Sequence, residues 1–186
     1  MKLTQKTVFP GTREYEEIKT LYNAAFHEID DLDLMVQEAG PEKAALYGYY
    51  DEEKLAAFAF VLLPGHYCYV LYSALAEGLR HKGVIREVVA CLRATYPDRP
   101  FIFDIETPDD AAPDREERQY RYEMFTHLGF SDTGFGMYVA SGTYTIFSEA
   151  PFDEAAFHES WDILPEEFGG TKIIAEPRRD SDIACF

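Results

Sequence analysis

Between an apolar run and a helix-patterned run stand Arg80, His81, Lys82, Gly83, Val84, Ile85 and Arg86. A turn that opens a helix leaves backbone N–H groups pointing outward, with the positive end of the helix dipole behind them. Glycine at position 83 lets a ligand approach the main chain closely. The whole chain carries 34 acidic and 17 basic residues, a net charge of −17. The basic cluster Arg80, Lys82 and Arg86 is a local exception to that charge, and an anionic ligand would require one. A solvated basic turn is the plain alternative. A second candidate is the pair Asp104 and Glu106, whose period-two spacing puts both carboxylates on one face of a strand. Glu106 stands at the carboxyl end, where ligands enter open α/β sheets, and it is the candidate base or, equally, the group that holds a cation. The five histidines have no metal-ligand spacing, and Cys68, Cys91 and Cys185 form neither a disulfide framework nor a metal pattern. No metal is expected.

These residues need a scaffold, and 186 residues with 47% hydrophobic and 15% aromatic content suffice for one globular domain with a sizeable core. The acidity repels phosphate backbones, so nucleic acid is a poor partner. The longest apolar run, Leu55 to Leu63, is far short of the ~20 residues that span a bilayer. The start of the chain lacks an apolar signal stretch, and a reduced cytoplasm is expected. Thr12 reads as an N-cap before an acidic first turn, and Tyr15, Ile18, Leu21, Tyr22, Ala25 and Phe26 keep helical spacing. Thr4 to Phe9 reads as an opening strand, and Asp30 to Ala39 as a second helix closed by Gly40-Pro41. Ala45 to Tyr50, Leu55 to Leu63 and Tyr67 to Leu75 read as an antiparallel meander.

The clearest helix begins at Val84, with Ile85, Val88, Val89, Leu92 and Tyr96 in register, and ends before Pro97. A strand from Phe101 to Glu106 follows, then a helix from about Asp114 to Leu128 with Gly129 as its C-cap and Tyr120, Met124 and Leu128 in its buried stripe. Phe135 to Val139 and Thr143 to Phe147 read as a closing hairpin, with one more short helix between Asp153 and Ser160. Only the unit from Tyr67 to Glu106 demands a parallel strand pair. The expected class is α/β (α+β): a mostly antiparallel mixed sheet with one parallel pair and helices on both faces.

The segment from Arg80 to Ile85 resembles the Arg/Gln-x-x-Gly-x-Gly/Ala signature of the GNAT-superfamily N-acetyltransferases, with the expected apolar strand before it. Phe125-Thr126-His127-Leu128-Gly129-Phe130 is similar to the aromatic-x-x-x-Gly-Phe close of that family's following helix, and the element order agrees from about Thr4 to Phe147. Ile85 replaces the family's last small residue, and Phe125 replaces its usual tyrosine, the commonest general acid. The resemblance implies acetyl-CoA as co-substrate, held by Leu75, Arg80, His81, Lys82, Gly83, Val84, Ile85, Arg86 and Phe125. It also implies transfer of the acetyl group to a primary amine.

It further implies that the backbone N–H near Leu75 is the oxyanion donor, which makes the role independent of side-chain identity. Tyr122, three residues before Phe125, is the nearest substitute acid, or a structural tyrosine. A departing coenzyme A thiol with a pKa of ~8.5 can leave as thiolate without one. Glu28 and Asp30 fall where the family lines its acceptor pocket, and a solvated acidic loop is the alternative. The expected partners are a small-molecule amine and, as an open option, a second copy of the chain in a homodimer; neither nucleic acid nor membrane is expected. Residues 1–148 are expected to form the acyltransferase domain, with 149–186 an acidic extension, partly helical or disordered. A catalytically inactive acyl-CoA-binding module is the rival function.

Overall fold

The structure, a computed structural model, describes residues 2–26, 31–139, 142–164 and 176–177. Glu28 and Asp30 lie outside the described residues. Strand β1 (Thr4–Thr7) leads into helix α1 (Arg13–Phe26), where Thr12 Oγ1 accepts the Tyr15 N–H at 3.2 Å and so caps the helix as its sequence predicts. Asp31 caps α2 (Leu32–Lys43) by accepting from the N–H groups of Asp33 and Leu34. That helix kinks at Gly40 and gains one further turn beyond the predicted stop. The predicted meander is present as β2 (Ala44–Asp51), β3 (Lys54–Leu62) and β4 (Cys68–Leu75).

Helix α3 (Val84–Thr95) then crosses to β5 (Phe101–Glu106), which pairs with β4 in parallel. Helix α4 (Arg115–His127) leads to β6 (Ser131–Val139), and β7 (Gly142–Ser148) inserts between β5 and β6. A short α5 (Glu154–Glu159) and the two-residue β8 (Glu176–Pro177), beside β6, complete the eight-stranded sheet and its cover. Strand β6 starts earlier than the sequence suggests, because an irregularity between Asp132 and Gly136 lets the chain rejoin β7.

Helices pack on both faces. On one, α1, α2 and α5 bury Ile18, Tyr22, Met35 and Phe157 against Phe58, Phe60, Tyr69 and Ile102. On the other, α3 buries Val84, Val88, Val89 and Leu92, each worth about 1.5–3 kcal/mol when fully buried, against Val61, Phe103 and Phe147. Arg93 ties this layer together: it donates to Glu149 and to the Leu128 carbonyl at the end of α4, while Glu149 accepts the Phe101 N–H.

The buried stripe of α4 corrects the sequence reading. Phe125 is the buried residue, Met124 and Leu128 are half-buried, and Tyr120 is exposed. The face toward the sheet runs Arg118, Arg121, Tyr122 and Phe125, at helical spacing i, i+3, i+4 and i+7. Two of these four residues are arginines, so the stripe does not look apolar. They are accommodated because Glu106 receives both.

Candidate active site

The parallel pair β4·β5 is short. Cys68, Tyr69 and Val70 face Phe101, Ile102 and Phe103, and there the ladder ends, although β4 runs on to Leu75 and β5 to Glu106. The cause lies on the other edge of β4. Val70 pairs with Val61 and Tyr72 with Phe60, so Leu71 is an extra residue. A bulge of this kind bends its strand and increases the local twist, which swings the end of β4 away from β5. The result is a gap in the sheet that joins its two helical faces.

On the α3 side of the gap, cross-strand partners share a face, so Ser73 opposite Ala59 and Leu75 opposite Ala57 both belong to the α3/α4 layer. Among the described residues, the Ser73 hydroxyl is buried with no hydrogen-bond partner. Buried polar groups almost always have one, so a ligand with an amide or carbonyl at this place would satisfy it. Beyond Leu75 the chain turns, with the Leu79 N–H on the Ala76 carbonyl at 3.2 Å, and enters α3 through Gly83. Gly83 has φ 77°, supplies no side-chain cap, and a Cβ there would meet nothing within 4 Å. The helix start is therefore open to an anion. Ile85 packs half-buried against the α3/α4 core, so the branched side chain that departs from the family pattern sits beside the amides and does not cover Gly83.

Of the basic cluster, Arg80 is held by both oxygens of Glu117, at 3.0 and 2.9 Å, and His81 lies against the Tyr120 ring at 4.4 Å. Both contacts fasten the loop to α4. Lys82 and Arg86 are exposed. The loop follows directly on β4, so the open start of α3, the Ser73 hydroxyl and the unpaired ends of β4 and β5 belong to one stretch of chain.

The sequence-derived acid and base candidates separate in space. Phe125 is 5% exposed, with ring centroids 4.8 Å from Phe103, 5.7 Å from Phe130 and 6.0 Å from Phe147. Tyr122 points elsewhere: its hydroxyl donates to Asp132 on β6 at 2.9 Å and its ring meets Phe147. Strand β7 lies between β6 and β5, and each strand step is about 4.8 Å, so this hydroxyl is far from the gap. Both carboxylate oxygens of Glu106 are taken by α4, one by Arg121 and the other by Arg118 at 3.4 Å. A recess of about 420 Å³ lined by Asp132, Ser148 and Phe152 lies at the β6–β7 end of the sheet, beside the Tyr122–Asp132 contact and away from Glu106.

Asp104 occupies the position that sequence reasoning passed over in favour of Glu106. It is the first residue of β5 beyond the last pair with β4, and its Oδ1 accepts the Tyr69 hydroxyl at 2.5 Å. Burial pushes its carboxyl up to about 6, while the bond from Tyr69 pulls in the opposite direction. The signal in the sequence was a lone aspartate in the otherwise apolar run Phe101 to Ile105, and Ser73 interrupts β4 in the same way. Among the described residues, no group of three His, Cys, Asp or Glu side chains could hold a metal ion, and no helix is long and apolar enough to cross a membrane.

No family model matches the sequence, and no curated protein matches it. Solved structures do match. An aminoglycoside 6'-N-acetyltransferase complexed with coenzyme A superposes with a TM-score of 0.63 at 12% identity, over 81% of this chain and 98% of that one. An acetyltransferase assigned to the GNAT family, from Bacteroides thetaiotaomicron, gives 0.60 at 14% identity over 84% and 92%. The ribosomal-protein-S18-alanine N-acetyltransferase of Escherichia coli gives 0.57 at 11% identity over 78% and 92%. The fold is that of the GNAT acetyltransferases, with the mostly antiparallel sheet, single parallel pair and two-faced helical cover that the sequence predicts.

Proposed function

We propose that this protein transfers the acetyl group of acetyl-CoA to the primary amine of a small acceptor. The observation that carries the proposal is the parting of β4 from β5 at the Leu71 bulge, which sets the open N-terminus of α3 and the orphaned Ser73 hydroxyl beside one gap in the sheet. The α3 amides, with Lys82 and Arg86, would hold the pyrophosphate. Ser73 and the edge of β4 would orient the chain that leads to the thioester. That thioester supplies an activated acetyl group and a good leaving group. The main-chain N–H near Leu75 would stabilise the oxyanion, and the ring cluster around Phe125 would keep water from the reacting carbon. Glu106, engaged by Arg118 and Arg121, would order the rim of the acceptor side. Residues 1–148 are proposed as the acyltransferase unit, to whose core the following segment contributes Phe157 and Leu164. The reaction would take place in a reduced, cytoplasmic setting.

Thermal melting with acetyl-CoA tests binding, since ligand at ~100 times its Kd should add ~2.7 kcal/mol. Thiol release with a panel of amines then tests transfer. No stabilisation by acetyl-CoA or free coenzyme A would remove the proposal.

The buried Phe125 favours a second reading, an inactive acyl-CoA-binding module, because it leaves no tyrosine hydroxyl at the family's acid position. Phe125→Tyr separates the two. If thiolate departure is already easy, turnover changes less than about fivefold, well below the ~10²-fold that a missing general acid is worth. A hundredfold gain with unchanged cofactor affinity would favour the inactive module.

A further inference from the structure

The ends of β4 and β5 that part beyond Val70 and Phe103 also carry side chains on the α1/α2 face, and these are specific. Ile102 and Ile146 place Asp104 on that face, since Asp104 pairs with Ile146 and both isoleucines belong to that core. Tyr72, opposite the buried Phe60, shares the face on the far bank of the gap. Tyr144, opposite Glu106, lies diagonally from Asp104. The Tyr72 ring stands edge-on to Tyr22 at 5.2 Å and to Phe26 at 4.8 Å, and Phe26, Tyr72, Tyr144 and Asp104 are all half-buried. A carboxylate thus stands among aromatic faces, at the place where the two faces of the sheet meet. The other carboxylate on this face, Glu106, already meets two guanidinium groups. Among the described residues no cationic side chain pairs with Asp104, and the rings on its face of the sheet suit cation–π and apolar contact.

We propose that Asp104 receives the acceptor's ammonium and takes its proton, and that the acceptor is a primary monoamine on an apolar or aromatic stem, with Tyr69 as the residue that positions Asp104. This rests on the acetyl-transfer reading and names its substrate class and base. Asp104 removes one proton from the ammonium, and the freed nitrogen lone pair forms the C–N bond to the thioester carbon. The C–S bond breaks with its electron pair on sulfur. The second nitrogen proton neutralises that thiolate, and Asp104 returns its own proton to solvent. Among the described residues, the titratable groups facing Asp104 are Tyr69 and Tyr72 of β4, Tyr144 of β7 and, two residues along β5, Glu106; α1 and α5 present the rings of Tyr22 and Phe157 to Tyr72 and Tyr69. A carboxyl raised to about 6 by burial is a better base than an ordinary one.

The test uses the full chain and 2-phenylethylamine, with spermidine as the polycationic competitor. Without acetyl-CoA, 2-phenylethylamine should raise the melting temperature of the wild type and not that of Asp104→Asn. With acetyl-CoA, Asp104→Asn should lower kcat by ~10² to 10⁴-fold and leave cofactor affinity unchanged. The acidic limb of the wild-type pH profile should fall near 6. Tyr69→Phe should move that limb upward, because the hydroxyl that favours the carboxylate is gone, which a merely structural role would not do. Unaltered amine stabilisation in Asp104→Asn, no stabilisation of the wild type, or a preference for spermidine would each overturn the proposal. Failure of acetyl-CoA to bind while the amine effect persists would sink acetyl transfer and leave the ammonium site standing.

Discussion

Gly83→Asp is expected to weaken coenzyme A binding roughly a hundredfold without unfolding the protein. The position has φ 77° and no neighbour within 4 Å of an added Cβ. Aspartate and asparagine are among the few side chains that enter this left-handed region readily. A side chain in this left-handed conformation is still strained, and the favourable charge at the positive end of the helix dipole offsets part of that cost, so the free protein should lose no more than about 1–2 kcal/mol. The charge, however, would lie where a pyrophosphate must bind. Two like charges about 6 Å apart at an effective dielectric of about 20 repel by about 3 kcal/mol, which is the roughly hundredfold loss. Gly83→Asn has nearly the same shape without the charge and should lose much less. Calorimetric titration with coenzyme A, beside urea melts, separates binding from folding. Equal affinity in the aspartate variant and the wild type would mean that the anion does not bind at α3.

The second expectation concerns stability and uses the same carboxylate as the proposed base. The Asp104 carboxyl is raised from an ordinary 3.8 to about 6 in the folded protein. Between those values the folded state keeps a proton that the unfolded chain releases, so stability falls as pH rises through this window, and the loss is complete above about 6. A shift of about two pH units corresponds to about 3 kcal/mol. Asp104→Asn removes this penalty and keeps an Oδ1 to accept the Tyr69 hydroxyl. The variant should therefore exceed the wild type in urea melts at pH 7.5 by up to about 3 kcal/mol and match it near pH 3.5. A gain in stability together with a loss of activity is the mark of a residue kept for function. Equal stability at pH 7.5 would show that Asp104 is adequately solvated and lacks the raised proton affinity.

Much of the fold was legible in the sequence because its signals are local. Thr12 ahead of an acidic turn, the 3.6-residue period from Val84 to Leu92 and the turn residues Pro64-Gly65 each depend on a few neighbours, and β2, β3, β4, α3 and β5 lie close to their predicted positions. The loop before α3 was equally plain, since a glycine and a basic cluster ahead of the strongest helix stand out in an acidic chain. Where local chemistry misleads, packing decided. Arg118 and Arg121 belong to the sheet-facing stripe of α4, but a charged pair reads as solvent-facing until Glu106 is brought beneath it from twelve and fifteen residues away.

The candidate site shows the same division more sharply. Period-two alternation put Asp104 and Glu106 on one face of a strand, and it could not rank them. Their environments differ only because β4 bends away at Leu71, a bulge set by its register against β3, and because α4 crosses the end of β5. Tyr122 likewise shares a helical face with Phe125, yet Asp132, on a strand two places removed from β5, draws its hydroxyl off. Residue type and spacing determined which groups were available for chemistry, since these follow from periodicity along one chain. Which carboxylate is desolvated, and which is already paired, depends on contacts between elements distant in sequence, and only the tertiary structure decided that.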